Sequence, residues 1–169
     1  MDHTPAETYR CGILTISDKG SRGERQDTSG PQLQEQLRAA GPYTVSHYTI
    51  VADDPAAITA TLKQWCDRER LDLILTTGGT GVSPSDQTPE TTRPLLDKEI
   101  PGISELMRLA SFQKTPNAML SRGVAGIRKS CLIINLPGSE RAARENLETI
   151  LACLAHAIYK IKGGSKDCA

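Results

Sequence analysis

Apolar and polar positions along the chain switch between two spacings, and the switches mark the elements. Cys11-Gly12-Ile13-Leu14-Thr15-Ile16 and Leu71-Asp72-Leu73-Ile74-Leu75 are short, mostly apolar runs, the pattern of strands buried on both faces of a parallel sheet. Tyr43 to Val51, carrying Val45, Tyr48, Ile50 and Val51, reads as another strand. Helical spacing takes over in between. Leu33 and Leu37 stand four apart in a segment opened by Ser29-Gly30-Pro31, running to about Ala40 and closed by Gly41-Pro42. Ile58, Leu62, Trp65 and Cys66 form a core-facing stripe behind Asp54 as N-cap and Pro55 as first helical residue. Thr88-Pro89 repeats that cap signature, predicting a short helix to about Asp97, and Pro101-Gly102 precedes a helix with Ile103, Leu106, Met107 and Ala110 on one face. Near the end, Leu147, Ile150, Leu151, Leu154, Ile158 and Ile161 mark a long helix.

Val124 to Ile127 and Cys131 to Leu136 are separated only by Arg128-Lys129-Ser130, a gap suited to a hairpin. The expected fold is therefore α/β: a three-layer α/β/α sandwich around a mainly parallel sheet with at least one antiparallel strand. One domain is expected over residues 9–162, with residues 1–8 and 163–169 as flexible ends.

Composition narrows the function. The 169 residues suffice for one core without disulfide or metal staples. Lys plus Arg and Asp plus Glu number 20 each, so no global field favours nucleic acid or an anionic membrane. Cys11, Cys66, Cys131, Cys153 and Cys168 form no Cys-x-x-Cys pair and mostly fall in apolar segments, which suits reduced thiols in the cytoplasm. His3, His47 and His156 lack metal-ligand spacing. Neither a signal-peptide core nor a membrane-length apolar run is present.

In open α/β sheets, ligands sit beyond the carboxyl ends of the strands. The polar sequences expected there are Ser17-Asp18, Ala52-Asp53-Asp54, Thr76 to Gly81 with Asp86, and Asn135 to Ser139. Thr76-Thr77-Gly78-Gly79-Thr80-Gly81 offers backbone that can lie against a phosphate. It matches neither the mononucleotide P-loop nor the dinucleotide fingerprint, and a glycine turn also serves as a plain connection. No arrangement for covalent catalysis is present, whereas two carboxylates on separate strand ends suit a magnesium ion shared with substrate phosphates. Asp54 is explained as a cap, and Asp18 or Asp27 as loop braces or site residues; Asp53 and Asp86 have no such local role. Arg122 is either a phosphate clamp or a surface arginine.

Five stretches then fall in one order: Ser17 to Gly23 with Asp27 to Gly30, Thr77 to Gly81 with Asp86 to Glu90, Pro101-Gly102 with Glu105-Leu106 and Arg108, Leu120-Ser121-Arg122, and Asn135 to Ser139. In these the chain resembles the molybdopterin adenylyltransferases of molybdenum cofactor biosynthesis, the MogA/MoaB-like family that includes the N-terminal domain of gephyrin. The resemblance implies a cytoplasmic, commonly trimeric enzyme. It would bind ATP and molybdopterin, join AMP to the terminal phosphate of the pterin with magnesium, release pyrophosphate, and have other molybdenum cofactor enzymes as potential partners. It further implies Asp53 and Asp86 as the acids for catalysis and metal. Thr77, Gly78, Gly79, Thr80, Gly81, Asn135, Pro137, Gly138 and Ser139 would form the nucleotide site, and Ser17, Asp18, Asp27, Ser29, Ser121 and Arg122 would contact substrate. Two departures stand out: Ser85 where arginine commonly precedes the acid, and Glu140 where proline often follows the serine. Lys19, Arg22 or Arg122 would then have to supply the missing cation. The rival readings are a non-catalytic molybdopterin-binding scaffold and a CinA-like hydrolase of nucleotide pyrophosphates.

Overall fold

The computed structural model describes residues 8–165. His3, Cys168, residues 1–7 of the expected N-terminal end and 166–169 of the expected tail lie outside them. The chain runs through β1 (Tyr9–Ile16), a single turn α1 (Asp18–Ser21), α2 (Ser29–Ala39), β2 (Tyr43–Val51) and α3 (Pro55–Lys63), which continues as a π-helical turn, Gln64–Arg68. Next come β3 (Leu73–Thr77), α4 (Thr88–Thr92) with a 3-10 turn at Arg93–Leu95, β4 (Lys98–Glu99), and α5 (Pro101–Phe112) with a 3-10 turn at Pro116–Leu120. The hairpin β5 (Ala125–Arg128) and β6 (Cys131–Leu136) leads into α6 (Glu140–Ile161).

The six strands lie in the order β2-β1-β3-β6-β5-β4. Pairs β1–β2, β1–β3 and β3–β6 are parallel, and β5 runs antiparallel to both of its neighbours, as the short hairpin gap requires. Alternate residues of the central strands feed two cores. Ile13, Leu73, Leu75, Leu132 and Ile134 pack with α2, α5 and α6, while Leu14, Ile16, Ile74 and Ile133 pack with Ile58, Leu62 and Trp65. Gly12 is the gap that admits Trp65: a Cβ there would stand 2.7 Å from the indole. Cys11, Cys66 and Cys131 are buried free thiols, and burial followed by the charge of Asp72 pushes the Cys11 pKa up to about 12.

Three local expectations change. β3 starts at Leu73 rather than Leu71 and carries Thr76 and Thr77, both buried, because Thr76 pairs in register with Asn135 and Thr77 with Leu136. The helix expected to reach Asp97 gives way to the 3-10 turn and then to β4, whose two charged residues carry no apolar signal and sit at the sheet edge. Thr88 is not the cap of α4. Gln87 holds that place, and Thr88 turns its hydroxyl back to donate to the Gly78 carbonyl at 2.9 Å. At the far end of α6, Gly163 at φ 89° donates to Lys160 and Gly164 to Tyr159, a left-handed closure of the helix.

Candidate functional site

The sheet changes direction of growth at β1, with β2 added on one side and β3 on the other, and polar sequences gather beyond the carboxyl ends around that point. Two of these strand ends lock together. The Asp18 N–H donates to Asp53 Oδ2 at 3.1 Å and the Asp53 N–H donates to Asp18 Oδ1 at 3.0 Å, fixing the ends of β1 and β2 against each other. Ser17 caps α1 by accepting from the Gly20 N–H at 3.0 Å.

The glycine turn is built against its neighbours without side chains. Gly78 has φ 110° and Gly79 has φ 64°; a Cβ on Gly78 would strike the Ile16 carbonyl, and one on Gly79 would strike the Thr88 hydroxyl. Gly138 lies close behind, where a Cβ would be 3.2 Å from the Gly78 Cα. Thr77 Oγ1 donates to the Pro137 carbonyl at 2.7 Å and Ser29 Oγ to the Gly138 carbonyl at 2.9 Å, so β3, α2 and the loop after β6 close on one another.

Two cavities meet at this turn. One, of about 630 Å³, is lined by Asp27, Asp53, Asp86 and Glu140, by Thr77 to Gly79, and by Ser17, Ser29, Gly138 and Ser139. The other, of about 460 Å³, lies over α5 and α6 and includes Thr80, Gly81, Met107, Leu120, Ser121, Asn135 and Pro137. Gly79, Asp86 and Gly138 belong to both and form a shared wall.

Asp53 is half-buried in the first cavity. Burial raises its pKa above the ordinary 3.8, the Asp18 N–H opposes that rise, and the charges of Asp18 and Asp86 add to it. Asp53 and Asp86 each accept one backbone hydrogen bond, from Asp18 and from Ser83, and each keeps one carboxylate oxygen unbonded among the described residues. Two free hard oxygens in a cavity crowded with negative charge fit a magnesium ion that arrives with phosphate ligands. Among the described residues no group of three or more His, Cys, Asp or Glu could hold a metal.

Other sequence candidates have their polar atoms occupied inside the protein. Asp27 accepts from Thr15 Oγ1 (2.6 Å), Tyr48 Oη (2.7 Å) and the Ser29 and Gly30 N–H groups (3.0 and 3.2 Å), which makes it the anchor of the α2 N-terminus. Asn135 donates to Thr76 and Thr92 and accepts from the Val124 N–H, bridging β6, β3, α4 and the start of β5. Arg122 donates to the carbonyls of Gly81 (2.6 Å) and Asp86 (2.8 Å) and pairs with Glu90, so it braces the loop between the glycine turn and α4. It lines a separate depression with Arg93 and Arg108, not the cavity of Asp53. Ser121 borders that depression and the apolar cavity. Ser139 caps α6. Sequence reasoning missed Thr88, Tyr48 and Arg25, the last of which lines the carboxylate cavity. Threonine before proline looks like a cap, and a tyrosine within an apolar strand looks like core.

Fold and cavities together define a doubly wound α/β domain with its ligand space at the switch point of the sheet. Residues 12–156 match the family described as the probable molybdopterin binding domain, and the chain belongs to that family. A molybdopterin adenylyltransferase of Helicobacter pylori (strain J99) is 42% identical over 161 residues, covering 93% of this chain and 90% of that protein. The molybdenum cofactor synthesis protein cinnamon of Drosophila melanogaster is 46% identical over 155 residues, covering 92% of this chain, which spans only 26% of that protein. Among solved structures, the molybdopterin biosynthesis enzyme MoaB of Thermus thermophilus is 56% identical with a TM-score of 0.87, over 92% of this chain and 98% of that one.

Proposed function

We propose that this protein is a molybdopterin adenylyltransferase, transferring AMP from ATP to the terminal phosphate of molybdopterin with release of pyrophosphate. The observation that carries the reading is the shared wall: two cavities, one ringed by carboxylates and one largely apolar, meet at Gly79, Asp86 and Gly138. The similarity to proteins named molybdopterin adenylyltransferase over most of the chain supports it.

In this reading the pterin takes the apolar cavity and the nucleotide phosphates take the carboxylate cavity. A terminal phosphate oxygen of the pterin attacks the α-phosphorus in line, the bond from that phosphorus to its bridging oxygen breaks, and pyrophosphate leaves with the electron pair. The protein's part is to hold two anions together and offset their repulsion. Gly78 and Gly79 of the turn lie on the carboxylate cavity wall with Ser17, Ser29 and Ser139, while Thr80 and Gly81 line the apolar cavity. Asp53 and Asp86 would hold a magnesium ion, which supplies charge neutralisation of the phosphates when bound. Asp18 acts through Asp53, whose backbone and carboxylate it fixes. Thr80, Asn135, Pro137 and Ser121 shape the apolar side.

The test is to supply purified protein with molybdopterin, ATP and magnesium and to follow pyrophosphate and adenylated pterin. Asp86→Ala should lower turnover by at least about a hundredfold, the size of an electrostatic contribution at a reacting phosphate, with pterin binding largely intact. Pterin binding without pyrophosphate would instead mark a scaffold, and nucleotide cleavage without pterin a hydrolase. The same reading includes a cytoplasmic homotrimer working beside other molybdenum cofactor enzymes. The exposed apolar face of α5, with Leu106, Leu109 and Phe112, supports the assembly.

A further inference from the structure

Negative charge dominates the larger cavity. Asp27, Asp53, Asp86 and Glu140 line it, and among the described residues Arg25 is the single cation that does. The three cations expected from sequence to serve phosphates are elsewhere or engaged. Arg22 is held by Glu24 through two hydrogen bonds of 2.8 and 3.0 Å, Arg122 braces the loop ahead of α4, and Lys19 is not part of the cavity wall. Arg25 is exposed and makes no hydrogen bond or ion pair among the described residues.

Its backbone is nevertheless held on both sides. Glu24 N–H donates to the Lys19 carbonyl at 2.9 Å, and Asp27, two residues on, is anchored by four donors. The loop therefore presents a guanidinium on the wall of an acidic cavity, without a partner among the described residues. Guanidinium groups fit phosphate oxygens in pairs.

Position selects which phosphate. Arg25 lines the carboxylate cavity alone and is absent from the shared wall, where the pterin phosphate would meet the α-phosphorus. In an in-line displacement the leaving group points away from the nucleophile, hence away from the shared wall. We propose that Arg25 binds the β- and γ-phosphates of the nucleotide and stabilises the departing pyrophosphate, an inference that rests on the adenylyl-transfer reading above.

The test uses the full chain with inorganic pyrophosphate and magnesium as probe, measured by titration calorimetry for wild type, Arg25→Ala and Arg25→Lys. Arg25→Ala should weaken pyrophosphate binding about tenfold, as expected for loss of a charge-assisted hydrogen-bonded pair. Arg25→Lys, which keeps charge and loses the planar fork, should lose less. AMP and molybdopterin affinities should stay within about twofold, kcat and kcat/KM for ATP should both fall, and the melting temperature should not move, since Arg25 makes no hydrogen bond or ion pair among the described residues. Unchanged pyrophosphate affinity in Arg25→Ala overturns the proposal, as does absence of pyrophosphate binding to wild type. A fall in molybdopterin affinity in its place overturns it too, by giving Arg25 to the other phosphate. Pyrophosphate binding that depends on Arg25, in a protein that forms no adenylated pterin, upholds the phosphate site and overturns the transfer reaction.

Discussion

Asp53 illustrates how a residue can work against the fold that carries it. Burial first, then the nearby charges of Asp18 and Asp86, favour its neutral form, so ionising it costs the folded state free energy. Below about pH 3.8 the acid is protonated in both folded and unfolded chains and the cost vanishes; it grows as pH rises through the raised folded value and is complete above it. Asp53→Asn keeps an oxygen for the Asp18 N–H and removes the charge. It should melt at a higher temperature than wild type at pH 7, with the difference closing below pH 4, and it should be inactive. A lower melting temperature at pH 7 would remove the argument. Gly78 and Gly102 make a second contrast. Gly78→Ala forces a side chain into a left-handed backbone against the Ile16 carbonyl and should cost about 2 kcal/mol or more. Gly102, in the first turn of α5, has nothing within 4 Å of its missing Cβ, so Gly102→Ala should be neutral or stabilise by up to about 1 kcal/mol. Urea denaturation of the two variants measures both. At this scale the sequence singles out Asp53 and Asp86 as candidates because no helix cap explains them, and both line the carboxylate cavity. Arg25 is invisible, one charge in a loop crowded with charges, distinguished only by which neighbours lack a claim on it.

Elements were legible wherever burial imposed a period. β2 spans Tyr43–Val51 as its apolar pattern predicts, and the three-residue gap after Ile127 becomes a hairpin turn with Lys129 at φ 53°. β4 was not legible, since an edge strand of two charged residues has no face to bury. Polar residues in buried strands were less legible for the related reason that a polar atom does not announce its partner. The resemblance puts Asn135 in the nucleotide site, and both ends of its amide are engaged inside the protein, with Thr76 of β3, Thr92 of α4 and the Val124 N–H. Asn135→Ala should therefore lower stability by about 1–3 kcal/mol, the cost of leaving the Val124 N–H without its acceptor, and urea denaturation measures it.

At the scale of the whole molecule, the sheet order and the meeting of distant loops follow from alternating strands and helices, so the sequence foresaw one mouth. The division of that mouth into two cavities was not foreseen. It depends on how α5 and the 3-10 turn at Pro116–Leu120 stand over α6, which no local pattern encodes. The exposed side chains of Leu109 and Phe112, 61% and 47% accessible, belong to that same region. In solution the 18.3 kDa chain should run at the molar mass of a trimer, and replacing both side chains by aspartate should release the monomer; light scattering decides it.

The wall formed by Gly79, Asp86 and Gly138 has a kinetic consequence. In the proposed reading the pterin phosphate itself, across this wall, takes the adenylyl group directly from the α-phosphorus. Direct transfer between two cavities that share one wall requires both reactants to be resident at once. Initial-rate plots against one reactant at fixed levels of the other should intersect rather than run parallel, and no exchange of label between ATP and pyrophosphate should occur until the pterin is added.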